Sequence, residues 1–175
     1  GLFANKMGLP IKRFIAANNN NDVFTKYLQN GVYSPRSSVQ TIANAMDVGA
    51  PSNFERIFDL YDGSYDDIKS KVKGFAYNDD QIAEAIKELY NRTGYLADPH
   101  SACAYLALRE DKKENEIGVF LSTAHPAKFI ETVEGCIENK ISIPAGLAKF
   151  MELKKQTYSI SNDFKQLKKT LLSLS

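Results

Sequence analysis

The fold of this chain follows from the stretch IKRFIAANNNNDVF, residues 11–24. Residues 11–17 are mostly apolar and short enough for one buried strand, and the polar run 18–22 favours a turn followed by a helix N-cap. The helix predicted over residues 23–29 would end before Gly31, because glycine accepts the left-handed conformation of a C-cap. The order strand, turn, helix is typical of α/β proteins.

The rest of the chain repeats this alternation of short apolar runs and helical periodicity. The patterns predict further strands at residues 39–46 (VQTIANAM), 75–77 and 118–121, and helices at 53–61, 64–73, 81–93, 100–109, 127–137 and 163–174. The charged run 111–116 predicts an exposed loop. We therefore predict a three-layer αβα fold with a mainly parallel sheet over residues 1–145, and a helical C-terminal tail over residues 146–175.

Composition excludes several classes of partner. The 175 residues carry 22 Lys+Arg against 21 Asp+Glu, and this balance provides no global field that would attract nucleic acid or an anionic membrane. No window approaches the run of about 18 apolar residues that a membrane span requires. Cys103 and Cys136 lie far apart in apolar settings, which indicates neither a disulfide framework nor a metal site. We expect a cytoplasmic protein with no metal ion.

The first residues suggest that the sequence starts inside a domain. Gly1 is not an initiator methionine, and residues 2–4 look like the end of an apolar helix. We therefore expect a truncated N-terminus.

Three loops at the predicted strand ends combine polar side chains: residues 18–22, 47–56 and 122–125. In a parallel sheet they would open on one edge, where ligands of α/β proteins bind. The middle loop is the richest, because Asn53 and Arg56 at a helix start offer donors suited to a phosphate, with Ser52 as a possible cap. A plain capped helix with an exposed or ion-paired Arg56 explains the same residues equally well.

The remaining polar candidates have simpler alternatives. The hydroxyls of Ser122 and Thr123 can donate to a ring nitrogen, hold a ligand oxygen or satisfy the last carbonyl of the strand, and taken alone the last is favoured. His125 could be an acid or base, but a structural hydrogen bond is the more common role. For His100 we favour a position in a helix that Asp98 caps.

Four motifs give a more specific indication when they are considered together. They are IKRFIAANNNNDVF (11–24), NAMDVGAPSNFER (44–56), YLADPHSACAYLAL (95–108) and GVFLSTAHPAKF (118–129). In this order, the chain resembles the threonine synthases of the bacterial and fungal type from its first residue to about residue 133. Ala50 stands where that family frequently has a polar residue, and Asn20-Asn21 replace a more varied pair.

The resemblance implies a fold-type II pyridoxal-phosphate enzyme. Such an enzyme is a lyase that converts O-phospho-L-homoserine and water into L-threonine and phosphate, with pyridoxal 5'-phosphate as electron sink. In that family the Schiff-base lysine and a Gly/Asn-rich loop for the cofactor phosphate lie upstream of the position of Gly1. The resemblance therefore places no catalytic lysine in this chain, makes the N-terminal half of the same protein its partner, and predicts that the isolated chain is inactive.

Carried over by position, the resemblance also assigns site residues. Thr123 matches the residue whose hydroxyl meets the pyridine nitrogen, with Ser122 beside it. Residues of the SNFER motif would bind the substrate phosphate. Asp47 is also assigned to the substrate site, because Asp47 and Asn44 would shape the loop that carries this motif. The assigned substrate residues are Ser52, Asn53, Arg56 and Asp47.

Two other functions are compatible with the same residues. Another fold-type II enzyme, such as a threonine dehydratase or a cysteine synthase relative, would share the cofactor and need no site for a substrate phosphate. A non-catalytic remnant would keep the fold alone.

Overall fold

The computed structural model describes residues 1–174 and divides into two compact units, Gly1–Ser142 and Ile143–Ser175. In the first unit the helices are α1 Leu2–Lys6, α2 Val23–Asn30, α3 Phe54–Leu60, α4 Tyr65–Lys71, α5 Asp79–Thr93, α6 Pro99–Asp111 and α7 Ile130–Ile137. The strands are β1 Phe14–Asn18 and β2 Val72–Ala76, and 3-10 helices span Asn44–Met46 and Pro126–Phe129.

The two strands pair in parallel, from Phe14 opposite Val72 to Asn18 opposite Ala76. Successive side chains point to opposite faces of a strand, so the apolar residues of β1 serve two cores. Phe14 and Ala16 pack into the cluster formed with α2, α3 and α4, whereas Ile15 and Ala17 pack into the cluster formed with α5, α6 and α7. Helices cover both faces, and the predicted three-layer α/β class with parallel pairing is confirmed.

Gly74 allows α2 to lie unusually close to β2. A Cβ atom at this position would sit 2.9 Å from the Cα of Thr25 and 3.0 Å from a methyl carbon of Leu28. The hydroxyl of Thr25 also donates to the carbonyl of Phe75, 3.1 Å away. A side chain at residue 74 would therefore separate the helix from the strand.

Several predicted helix ends are confirmed. Gly31 ends α2 and Gly94 ends α5, both in the left-handed conformation. Asn78 and Gln81 form a complete capping box at the start of α5, which satisfies two backbone N–H groups reciprocally.

Two predicted strands are absent from the sheet. Residues 39–47, which we call the clamped loop, contain the 3-10 helix Asn44–Met46 and form no ladder pairing. Side chains satisfy the backbone groups of this loop instead. Residues 117–121, the open segment, also join no ladder within the described part of the chain. Ile117, Val119 and Leu121 are 96%, 78% and 75% exposed. The predictions of strands at 39–46 and of a buried strand at 118–121 are therefore wrong.

The prediction of an exposed charged loop at residues 111–116 also needs correction, because both of its ends are held by cations. Asp111 is buried at the end of α6 and pairs with Arg13 and, at 2.5 Å, with Lys73. Glu116 pairs with Arg13 at 2.5 Å and with Lys12 at 2.9 Å. These pairs attach the loop to β1 and β2.

The second unit contains α8 Ala145–Met151 and α9 Phe164–Leu174. Phe164 and Leu171 of α9 are exposed, and lysines at 165, 168 and 169 alternate with its apolar residues. Within residues 1–174, none of the helices combines the length and the apolar character that crossing a bilayer would require. The assignment of residues 1–145 to a catalytic domain and 146–175 to a tail stays a prediction.

Candidate active site

Buried asparagines connect the turn after β1 to the clamped loop. Asn19 is fully buried, and its amide donates to the Thr41 hydroxyl at 2.8 Å, to Asp47 Oδ1 at 2.8 Å and to the Ala43 carbonyl at 3.2 Å. Its own Oδ1 accepts from the backbone and side chain of Asn21. Every polar atom of the Asn19 side chain is thus used to hold this edge of the sheet together.

Asp47 is the centre of the clamped loop. One carboxylate oxygen accepts from Asn19, from Asn21 at 3.1 Å and from the Thr41 hydroxyl at 2.7 Å, and the other accepts from the Thr41 backbone at 3.0 Å. Asn21 adds bonds to the carbonyl and N–H of Val39. With both oxygens engaged, Asp47 is suited to shape the loop. Its assignment among the substrate residues stays a prediction.

Asp98 forms a second buried centre at the start of α6. Its Oδ1 accepts from the backbone of His100 at 2.9 Å and of Ser101 at 3.4 Å, which confirms the predicted N-cap with Pro99 at the first helical position. Burial alone would raise the pKa of Asp98, but hydrogen bonds from His100 and Ser101 outweigh it and hold the pKa below its ordinary value. Asp98 is therefore a carboxylate at neutral pH.

His100 joins this carboxylate to the clamped loop. Its Nδ1 lies 2.8 Å from Asp98 Oδ1, and its Nε2 accepts from the backbone N–H of Ala45 at 3.0 Å. Because Nε2 accepts, the ring hydrogen is on Nδ1 and is donated to Asp98. His100 thus has the structural role that the sequence favoured, and it fixes the loop that leads to Ser52.

Ser101 joins the same carboxylate to the predicted cofactor residues. Its hydroxyl contacts Asp98 Oδ2 and lies 3.1 Å from the Ser122 hydroxyl. Ser122 and Thr123 are exposed at the end of the open segment, and the Thr123 hydroxyl has no hydrogen-bond partner within residues 1–174. The pair therefore presents one anchored and one available hydroxyl.

The SNFER motif is held by aromatic stacking. Phe54 is buried against Tyr33 with ring centroids 3.8 Å apart, and the Tyr33 hydroxyl donates to the Pro51 carbonyl at 3.0 Å. The predicted cap by Ser52 is wrong: Asn53 occupies the N-cap position in a helical conformation, and its side chain makes no cap hydrogen bond. Arg56 is exposed and makes no ion pair or hydrogen bond with the described residues.

The structure joins the first two predicted loops directly, through Asn19 and Asn21 to Asp47, and it connects the third loop through α6 to Ala45, just before the middle loop. The hydrogen-bonded path runs from Ser122 through Ser101, Asp98 and His100 to Ala45. Within residues 1–174, no hydrogen bond joins the side chains of Ser52, Asn53 or Arg56 to this path.

Sequence reasoning missed Ser101 as a link and underrated Asp98. The only available signal was the spacing in Asp98-Pro99-His100-Ser101, which puts three polar side chains in one helix turn. The structural readings of His125 and Cys103 are confirmed, since His125 accepts from the N–H of Ala127 at 3.1 Å and Cys103 is fully buried.

Comparison with known proteins agrees with this geometry. The chain belongs to the family described as pyridoxal-phosphate dependent enzyme, whose pattern matches residues 2–123. A second pattern, described as the C-terminal part of threonine synthase, matches residues 101–171. The resemblance to threonine synthases is thereby confirmed.

Individual relatives give the same result. The chain is 44% identical over 172 residues to threonine synthase of Buchnera aphidicola from Acyrthosiphon pisum, covering 98% of this chain and 40% of that protein. The crystal structure of Escherichia coli threonine synthase superposes with a TM-score of 0.90 at 37% identity, covering 100% of this chain and 40% of that one. A structure from Brucella melitensis, described as threonine synthase with bound pyridoxal phosphate, gives 0.82 at 29% identity, covering 97% and 43%. The chain thus spans about two fifths of the length of these relatives.

The described residues fit one end of this cofactor. A pyridine nitrogen needs a small donor or acceptor next to it, and the exposed hydroxyls of Ser122 and Thr123 supply both kinds of group. The path through Asp98 and Ser101 backs the Ser122 hydroxyl.

Proposed function

We propose that this chain supplies part of the active site of a threonine synthase, which converts O-phospho-L-homoserine and water into L-threonine and phosphate. The observation that carries this proposal is the hydrogen-bonded path from Ser122 through α6 to Ala45, in the loop that precedes the SNFER motif. This path connects a proposed cofactor residue to the segment that leads into the proposed substrate loop.

Thr123 would hold the ring nitrogen of pyridoxal 5'-phosphate, with Ser122 beside it. When bound, this cofactor supplies an electron sink for charge that develops on the substrate. An alcohol is far too weak an acid to transfer its hydrogen to a pyridine, so Thr123 would donate a hydrogen bond and leave the nitrogen neutral.

Arg56 would bind the substrate phosphate, with Ser52 and Asn53 as additional donors. A guanidinium matches two phosphate oxygens at once, and Arg56 has no competing carboxylate partner among residues 1–174. Asp47 would keep the loop in place from behind. The cytoplasm is the compartment proposed for this reaction.

The test is Arg56→Ala in the full-length gene product that carries this sequence. Removal of two charge-assisted hydrogen bonds should lower kcat/KM for O-phospho-L-homoserine by roughly a hundredfold. Arg92→Ala is the matched control, because Arg92 is an exposed arginine on α5, in the opposite helical layer. Equal rates for the Arg56 and Arg92 variants would contradict the assignment.

The same experiment separates the alternatives. A threonine dehydratase would deaminate L-threonine at a rate that Arg56→Ala leaves unchanged, because that substrate has no phosphate. A non-catalytic remnant would show neither reaction.

The 175-residue chain alone is expected to release no phosphate from O-phospho-L-homoserine. The resemblance assigns the Schiff-base lysine and the cradle for the cofactor phosphate to another part of the protein. Threonine formation by the pure chain would contradict that division of the site.

A further inference from the structure

The partners of the Ser101 and Ser122 hydroxyls determine which of the two donates its hydrogen to the other. Ser101 lies between two oxygen atoms, Asp98 Oδ2 and Ser122 Oγ, but a serine has one hydroxyl hydrogen to donate. An ionised carboxylate has none, so the hydrogen of Ser101 goes to Asp98. The 3.1 Å contact between the two serines must then use the hydrogen of Ser122.

We propose that Asp98 is a positioning residue which, through Ser101, turns the Ser122 hydroxyl so that it offers only lone pairs to a ligand and leaves Thr123 as the single donor. This inference rests on the proposed function, since the ligand concerned is the pyridine ring of the cofactor. It assigns different roles to two neighbouring hydroxyls that the sequence alone cannot distinguish.

The Asp98 carboxylate can fix the direction of the Ser101 hydroxyl, because its other hydrogen bonds keep the carboxylate from rotating. Its other oxygen, Oδ1, accepts from the backbone of His100 and Ser101 and from the His100 ring. That ring is itself held by the Ala45 N–H and packs on Phe129, with centroids 4.9 Å apart. Asp98 and Ser101 are both fully buried, which excludes water as a substitute partner.

The first test uses the full-length gene product from which the cofactor has been removed. A buried hydroxyl hydrogen bonded to a carboxylate exchanges slowly and has a downfield proton resonance, which NMR can assign to Ser101. In Asp98→Asn the amide keeps an oxygen for the helix cap but donates its NH2 to Ser101, so that Ser101 must donate to Ser122 instead. The resonance of the Ser101 hydroxyl should move upfield.

Asn78→Ala is the matched control, since it removes the N-cap of α5 without touching this path. A comparable loss of melting temperature with an unchanged Ser101 resonance is expected. If Asp98→Asn leaves the resonance in place, or if Asn78→Ala moves it equally, the proposed direction is wrong.

The second test uses the full-length gene product loaded with pyridoxal phosphate labelled with 15N in the ring. Thr123→Val should move the ring-nitrogen resonance towards that of an unbonded pyridine, whereas Ser122→Ala should leave it close to wild type. Equal shifts in the two variants would overturn the division of roles. A gene product that binds no pyridoxal phosphate would refute the proposed function, and the first test would still decide the hydroxyl direction.

Discussion

The clamped loop and the open segment have similar strand-like sequences but very different environments. In the clamped loop the side chains of Asn19, Asn21 and Asp47 take the place of ladder hydrogen bonds. In the open segment only Gly118 and Phe120 face the protein, against Leu108 and Tyr105, while the alternate residues are exposed. Apolar alternation thus identifies an extended backbone, but it does not identify the groups that satisfy it.

The largest expected effect is the loss of the clamp itself. Asn19→Ala removes the acceptor for Asn21 and takes one donor each from Thr41, Ala43 and Asp47, so unfolding free energy should fall by about 3 kcal/mol. Asn20→Ala is the control from the same asparagine run, because its side chain is exposed. Urea unfolding of both variants decides the point, and equal midpoints would show that the clamp adds nothing.

Two glycines extend the comparison: Gly49, two residues after the clamped loop, and Gly118 in the open segment. A Cβ at Gly49 would lie 1.9 Å from the Arg36 carbonyl oxygen, and this backbone must move, at a cost of about 2 kcal/mol. At Gly118 the nearest atom is the mobile end of Leu108, 2.6 Å away, so Gly118→Ala should cost less than about 1 kcal/mol. Thermal unfolding should rank the two, and the reverse order would contradict the contrast.

Acid should weaken the attachment of the open segment. Burial would raise the pKa of Asp111, but the hydrogen bonds from Lys73 and Arg13 outweigh burial and lower this pKa. Hydrogen bonds from Arg13 and Lys12 hold the pKa of Glu116 far below its usual range. Both carboxylates therefore stabilise the fold above the unfolded pKa of about 4, and this stability is lost as pH falls through the lower folded values.

Backbone 15N relaxation of residues 117–121 is the measurement, with α2 as internal reference. The order parameters of this segment should fall relative to those of α2 as pH drops below about 4, where stability held by the two carboxylates begins to be lost. Glu116→Gln should show the lower order parameters already at pH 7. Unchanged order parameters in that variant would mean that the ion pairs do not hold the segment.

The smallest effect is expected on the exposed face of the open segment. Val119→Thr keeps the side-chain shape and changes only a group that is 78% exposed, so stability should stay within about 0.5 kcal/mol of wild type. Thermal unfolding checks this expectation. A loss of more than about 1 kcal/mol would show that Val119 has an apolar contact in solution.

Local signals in the sequence predicted the helices and the parallel order well. The caps at Asn78, Asp98 and Gly31 act within a few residues, so their chemistry can be recognised from the chain alone. The fate of residues 39–46 could not be recognised in this way, because it depends on Asn19 and Asn21, which are distant in sequence.

The candidate site shows the same contrast between local signals and contacts that are distant in sequence. The motifs located the hydroxyl pair and the SNFER loop, whereas the link through Ser101 and His100 requires the packing of α6 against β1. A serine between two oxygens has no sequence signature. Only its three-dimensional neighbours determine where its hydrogen points.

The pairing of Phe14 with Val72 has a consequence for how fast the chain folds. The whole of α2, α3 and α4 lies between the two strands in sequence, so the sheet can form only after a long stretch of chain has been brought into a closed loop. Closure of such a loop costs entropy before any ladder hydrogen bond repays it, and high contact order slows folding. We expect the helices to gain structure early and the two strands to meet in the rate-limiting step.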